Sequence, residues 1–202
     1  MLRCLLFLLI TIPSFAQDKI VERYPSGIVR AEGVLINGVK SGAWTYYFPS
    51  GKTMAKENFD QGVLNGVVEY FFDDGRQQGK EYWQSGMLHD SAWYFHRNGK
   101  LERKGCFDHN SYLGEWRFFH ENGVLERIVH YSGGYPNGEI KMFSEKGVLL
   151  QEGFYRQGKE DGLWKFYDEK GKLTYTGNYK DGERVGDWFQ YDNKGKQKPW
   201  KY

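Results

Sequence analysis

The sequence predicts an all-β fold: tandem 24-residue β-hairpin repeats laid side by side in an elongated, twisted antiparallel meander. Three observations predict it. Glycine stands at 27, 51, 75, 99, 123, 147, 171 and 195, each 24 residues after the last. Two further columns keep the same spacing: Gly38, Gly62, Gly86, Asn110, Gly134, Gly158 and Gly182, and then Gly42, Gly66, Asp90, Gly114, Gly138, Gly162 and Gly186. Between these columns short aromatic runs alternate with charged residues, and no stretch has a helical period. Repetition at a fixed period of this size means a stacked array rather than a single globular unit.

Composition agrees. The 202 residues suffice for one array with a sizeable buried core. Aromatics make up 18%, which argues against disorder because rings supply large apolar area for burial. There are 26 glycines and 5 prolines, a balance that suits many tight turns rather than a flexible linker. A formal charge of +2 gives no case for nucleic acid or an anionic membrane surface as partner.

Taken in order, the chain begins with a separate object. Met1-Leu2-Arg3 is a short basic start, residues 4–12 are apolar, and Pro13-Ser14-Phe15-Ala16-Gln17 follows. These are the three parts of a secretory signal peptide, with cleavage expected between Ala16 and Gln17. The apolar run is shorter than the ~20 residues a spanning helix needs, so no transmembrane segment is expected after cleavage. The expected organisation is therefore 1–16 signal peptide and 17–202 a single array of about seven repeats, with a C-terminal cap near 196–202. The expected location is outside the cytoplasm: periplasmic, outer-membrane-associated or secreted. Cys4 leaves with the signal, so Cys106 stands alone and no intrachain disulfide is expected.

After a short lead at 18–24 the repeat takes over. Each copy reads as two strands, the first typified by 44–48 and the second by 53–59. Within a copy the link is Ser50-Gly51, Asp74-Gly75, Asn98-Gly99, Asn122-Gly123, then Lys146-Gly147, Lys170-Gly171 and Lys194-Gly195. Asn-Gly and Asp-Gly between alternating apolar runs signal tight hairpins, and the Lys-Gly copies fit a three-residue or bulged turn. Between copies the link carries two glycines, as in Gly38-Val39-Lys40-Ser41-Gly42. Asn110 and Asp90, the two breaks in the columns, tolerate left-handed backbone better than other non-glycines, so all three columns are read as positive-φ positions.

The side-chain columns indicate the core. Position 47 and its equivalents are Tyr47, Phe71, Phe95, Phe119, Phe143, Tyr167 and Tyr191. The Trp44 column continues as Val68, Ala92, Trp116, Ile140, Trp164 and Trp188, with the ring displaced by one place to Trp93 in the third copy. Trp44 and Tyr46 share one face of a strand while Tyr47 takes the other, so both faces carry rings and either the array folds over or both faces are partly covered. Gly33, Gly105, Gly153 and Gly177 share a second-strand column filled elsewhere by Glu57, Glu81 and Val129. Glycine within a strand marks a bulge or a close approach, here a hollow for a neighbouring ring. The closing Lys198-Pro199-Trp200-Lys201-Tyr202 departs from the pattern and suits a cap on the last open edge.

These residues carry a resemblance. Gly-x-Trp-x-Phe/Tyr-Tyr-x-x-x-Gly-Lys-Leu, followed by an aromatic and Asn/Asp/Gln-Gly-x-x-x-Gly, is similar to the MORN repeat in its longer bacterial variant, and 162–182 is the cleanest copy. The structural positions it implies are Gly42, Trp44, Tyr47 and Gly51; Gly114, Trp116, Phe119 and Gly123; Gly162, Trp164, Tyr167 and Gly171; and Gly186 with Trp188. The resemblance implies a MORN-like array and a scaffold that binds proteins. Proteins with this variant are often labelled antitoxins of the YwqK type, which implies neutralisation of a partner.

Chemistry is sparse. The sequence has no Gly-x-Ser-x-Gly, phosphate loop or His-Glu-x-x-His, so no enzyme, cofactor or metal is expected. His96 and His120 are column mates, as are Cys106 and His130, on strands on the order of 10 Å apart. With Trp93 they form the set of surface candidates, because function is expected where copies differ. The expected function is an exported, non-enzymatic repeat protein that binds or scaffolds another protein in the cell envelope. The alternatives are an envelope carbohydrate-binding protein that stacks glycan on an exposed aromatic column, and the antitoxin-like role implied by the resemblance.

Overall fold

The structure is a computed structural model and describes residues 17–201; the expected signal peptide lies outside the described residues. The described residues form one open antiparallel sheet of nineteen strands. Pairing follows chain order, from Gln17–Arg23 against Val29–Ile36 at one edge to Glu183–Tyr191 against Gln197–Trp200 at the other. The sheet is a pure meander, as the repeat predicts.

The two links exchange the geometries that their sequences suggest. Within a copy, the Phe48 amide donates to the Lys52 carbonyl and the Gly51 amide to the Phe48 carbonyl, both at 2.8 Å. Gly51 has φ +82° and Ser50 is not left-handed, which makes a three-residue loop with a bulge. Asn98-Gly99 and Asn122-Gly123 follow the same scheme instead of the two-residue turn expected of them. Their asparagines cap the loop: Asn98 Oδ1 accepts from the Lys100 amide and Asn122 Oδ1 from the Val124 amide, each at 2.9 Å. The two-residue turns lie between copies. Asn37-Gly38, Gln61-Gly62 and Ser85-Gly86 have positive φ at both residues, as does His109-Asn110. The turns at Gly62, Gly86 and Asn110 are tied to the copy before them: the Gly62 amide donates to the Lys40 carbonyl at 2.9 Å, the Gly86 amide to the Leu64 carbonyl at 2.8 Å and the Asn110 amide to the Leu88 carbonyl at 3.0 Å.

The third column makes a bulge. Pairing jumps from Glu32–Thr45 to Val34–Ser41, so Gly33 faces Gly42, Ala43 and Trp44 together. The Trp44 ring lies over Gly33, where a Cβ would stand 2.3 Å from it. Gly105 under Trp116, Gly153 under Trp164 and Gly177 under Trp188 repeat this, at 2.3, 2.2 and 2.0 Å. Where a side chain fills the glycine column, the residue eleven places on is smaller: Glu57 precedes Val68, Glu81 precedes Ala92 and Val129 precedes Ile140. This column forms the core, with Trp116 and Val68 fully covered. Phe107 and Tyr112 close on Trp116 with ring centroids 5.0 and 4.3 Å away. Each ring so covered stabilises the array by about 2–3 kcal/mol.

There is no second layer among the described residues. The Tyr47 column is half-buried on the opposite face. There a hydroxyl occurs only beside an acceptor: Tyr47 donates to Glu32 at 2.5 Å and Tyr167 to Glu152 at 2.8 Å, while Tyr191 lies 3.2 Å from Thr176. The intervening copies have Phe with lysine or isoleucine at the facing position, as in Lys56 with Phe71.

The lead that the sequence suggests is instead part of the array, while the C-terminal segment closes the far edge as a short strand. Residues 18–24 belong to the array: Gln17–Arg23 is a strand, and the loop bonds of Tyr24, Gly27 and Ile28 copy those of Phe48, Gly51 and Lys52. At the far end, Gln197–Trp200 pairs without the register shift found after Tyr46, so Trp188 faces Trp200. A slip of one residue moves every side chain to the other face, and Trp200 lands on the tryptophan face, 5.9 Å from Trp188 and 5.0 Å from Tyr175.

Candidate functional site

The face opposite the tryptophans carries an unbroken row of side chains, one from each strand. Strand pairing places Lys80, Trp93, Lys104, Arg117, Ile128 and Lys141 successively side by side, at the strand spacing of about 4.8 Å. Beside the row lie Glu115 and Glu139, and Arg117 donates to Glu115 at 2.6 Å, so the surface is mixed in charge rather than uniformly basic. Shallow hollows open along it. One, of about 380 Å³, is lined by Ser91, Trp93, Lys104, Cys106, Glu115 and Arg117. Its neighbour, about 130 Å³, is lined by Glu115, Ile128, His130, Glu139 and Lys141.

Three of the five surface candidates therefore come together along this row. Trp93 and Cys106 line one hollow and His130 the next, with Glu115 common to both. Trp93 packs edge-on against Tyr82 at 6.1 Å. Cys106 is half-buried and lies 3.8 Å from Ser91 Oγ. His130 Nδ1 is 3.1 Å from the Glu139 carbonyl and Nε2 is 3.7 Å from Glu115. His96 and His120 sit elsewhere, at the loop end of the sheet. Their Nε2 atoms meet the Phe119 and Phe143 carbonyls at 2.8 and 2.9 Å, which ties each copy to the next.

The sequence reading missed two polar clusters. Glu81 is buried, accepting from the Tyr94 hydroxyl at 2.6 Å and Trp83 Nε1 at 2.9 Å. Burial and then the Glu81 carboxylate hold Tyr94 well above the usual phenol range, and burial does the same at Tyr70 and, beside Glu57, at Tyr46. The signal was present in the column where Glu57 and Glu81 replace glycine. The second cluster is His89, Asp108 and His109: His109 Nδ1 is 2.5 Å and His89 Nε2 3.7 Å from Asp108 Oδ1. It sits at the copy where Asp90 and Asn110 break two glycine columns. Among the described residues, no three His, Cys, Asp or Glu side chains are placed to hold a metal ion.

Among the described residues, rings do not form an exposed stripe. The strongly exposed ones are Tyr135 (65%) and Phe154 (38%), and these stand in different columns. Among the described residues no helix is long and apolar enough to cross a membrane.

With bulge, turn and ring columns in place, the comparison with known families is decisive. The family model of the MORN repeat variant matches four times, at residues 40–61, 112–132, 136–157 and 160–181. The chain is a MORN repeat protein. The unmatched interval between the first two MORN repeats holds the copies with Val68 and Ala92 in place of tryptophan, so two of the three departures from tryptophan in this column coincide with the Glu81 network, the third, Ile140, lying within a matched repeat. No curated protein matches the chain. Among solved structures, one titled "Crystal Structure of TcdB2-TccC3-TEV" aligns with 90% of this chain at 9% identity and a TM-score of 0.26, and this chain spans 12% of that one. A likeness that low carries no argument about this MORN array.

Proposed function

We propose that the chain is an exported, non-enzymatic repeat protein whose second face serves as a protein-binding or scaffolding surface in the cell envelope. The observation that carries this reading is the division of labour between faces. One face spends its rings on the core, and the other presents a continuous row of charged and apolar groups with shallow hollows. Mixed charge around a few half-exposed apolar groups suits a polar protein partner. The basic start, apolar run and Ala16-Gln17 junction support export, and the missing catalytic motifs support a binding role. The glycan alternative needs an exposed aromatic column, and the half-buried rings give it little support.

The test is affinity capture from the source organism's envelope, with Arg117→Glu and Lys141→Glu variants as controls. A specific protein captured by the wild type and lost with the variants supports the reading. Capture of nothing, alongside binding to purified glycans, refutes it. Recovery of the expressed chain in the cytoplasm with Met1 intact refutes export.

A further inference from the structure

The two edges of the sheet are unlike. The C-terminal edge is guarded: its strand has four residues, includes Pro199 between Lys198 and Trp200, and Trp200 is turned inward as a cap. The N-terminal edge, Gln17–Arg23, is a seven-residue strand without proline that keeps its register against the next strand from Gln17 to Glu22. Asp18 occupies the bulge column there and lacks the positive φ of its equivalents Gly42, Gly66 and Asp90. Among the described residues nothing pairs with the outer side of this strand. We propose that an extended segment of a partner protein adds here, as one more antiparallel strand beside the first described one. The proposal rests on the protein-binding reading and names where and how the partner docks.

The chain itself specifies what that segment should be. Every other strand of this class has a preceding strand, and the seven pairs obey one rule: glycine lies under tryptophan, a side chain beside something smaller. Ile20 stands in the Trp44 column, where isoleucine occurs once more, at Ile140. Ile140 pairs with Val129, and in the same strand Ile128 faces Lys141 and Arg127 faces Met142. Transferred by the repeat period, Val129 maps against Ile20, Ile128 against Val21 and Arg127 against Glu22. Val21 is 43% exposed and gains an apolar neighbour. Glu22, already 2.5 Å from Arg30, gains a second cation. The occupant is thus a strand with a basic residue followed by two β-branched residues. A glycine in the last place leaves a void beside Ile20.

The experiment uses the full chain and two synthetic peptides: Leu-Glu-Arg-Ile-Val-His-Tyr-Ser, copied from 125–132, and Leu-Thr-Tyr-Thr-Gly-Asn-Tyr-Lys, copied from 173–180. Fluorescence anisotropy gives affinity, and amide chemical-shift changes locate the site. The first peptide is expected to bind at Gln17–Arg23 about tenfold more tightly than the second. Ile20→Trp is expected to reverse the preference, because tryptophan in this column requires glycine beneath it. No binding by either peptide, shifts away from this strand, or a preference unchanged by Ile20→Trp overturns the proposal. Envelope capture separates the two readings: a protein retained equally by wild type and Ile20→Trp sinks the edge proposal alone, while capture of nothing by either sinks the binding reading itself.

Discussion

The copies that end in Trp44, Trp116, Trp164 and Trp188 and the two that end in Val68 and Ala92 fill the same place in the sheet by different physics. In the first kind a glycine removes a side chain so that an indole can lie flat on the backbone, and stability comes from apolar area removed from water. In the second a glutamate returns to the glycine site and the ring is lost, and at Glu81 Tyr94 and Trp83 converge on the buried carboxylate. Apolar packing tolerates a change in volume poorly, whereas the polar network tolerates loss of an acceptor poorly. The difference teaches that one repeat backbone accepts two kinds of core, provided the residue pair changes together.

The largest expected effect is at Gly105. Gly105→Val drives a side chain into the Trp116 ring and is expected to cost about 3 kcal/mol in a urea titration. Adding Trp116→Ile recreates the Val129–Ile140 pair and is expected to recover part of that loss; strictly additive losses in the double-mutant cycle break the comparison. Next, Glu81→Ala strands the Tyr94 and Trp83 donors, at about 1–3 kcal/mol for each buried donor left unsatisfied, while Glu57→Ala and Glu81→Gln are expected to cost less. A smaller effect is pH-dependent. Burial, then the Glu152 hydrogen bond, pushes the Tyr167 hydroxyl from 10.0 up to about 12. Its neutral form is the one favoured by folding, so its contribution is complete below pH 10 and is lost as pH rises through about 12. Thermal midpoints across that window should fall less in Tyr167→Phe than in the wild type. The smallest effect is expected of Glu152→Ile with Tyr167→Phe, which copies the Ile128–Phe143 arrangement between two flanking cations: stability within about 1 kcal/mol of wild type.

Much of the fold was legible because turns need particular backbone conformations and glycine supplies them. All three columns, Asn110 and Asp90 included, take positive φ. The hollow at Gly33 was legible as a hollow, though not as the seat of Trp44. The links were misread at Asn98-Gly99, since a dipeptide preference does not say whether asparagine will be left-handed or will cap the loop with its own oxygen. The candidate face was legible only in pieces. A 24-residue column joins residues two strands apart, whereas the row on the sheet alternates intervals of 13 and 11, as from Lys80 to Trp93 to Lys104. Those intervals depend on where each bulge adds its residues.

By itself, the sequence determined the period, the all-β meander and the Trp44 column of the core, though it also counted as core the Tyr47 column, which is only half-buried; strand alternation and positive-φ turns are local properties of a few neighbouring residues. Only the tertiary structure decided which glycine lies under which ring, that 18–24 is the first strand rather than a lead, and that Trp200 turns inward. Each of those depends on register across strands, where a shift of one residue exchanges the two faces.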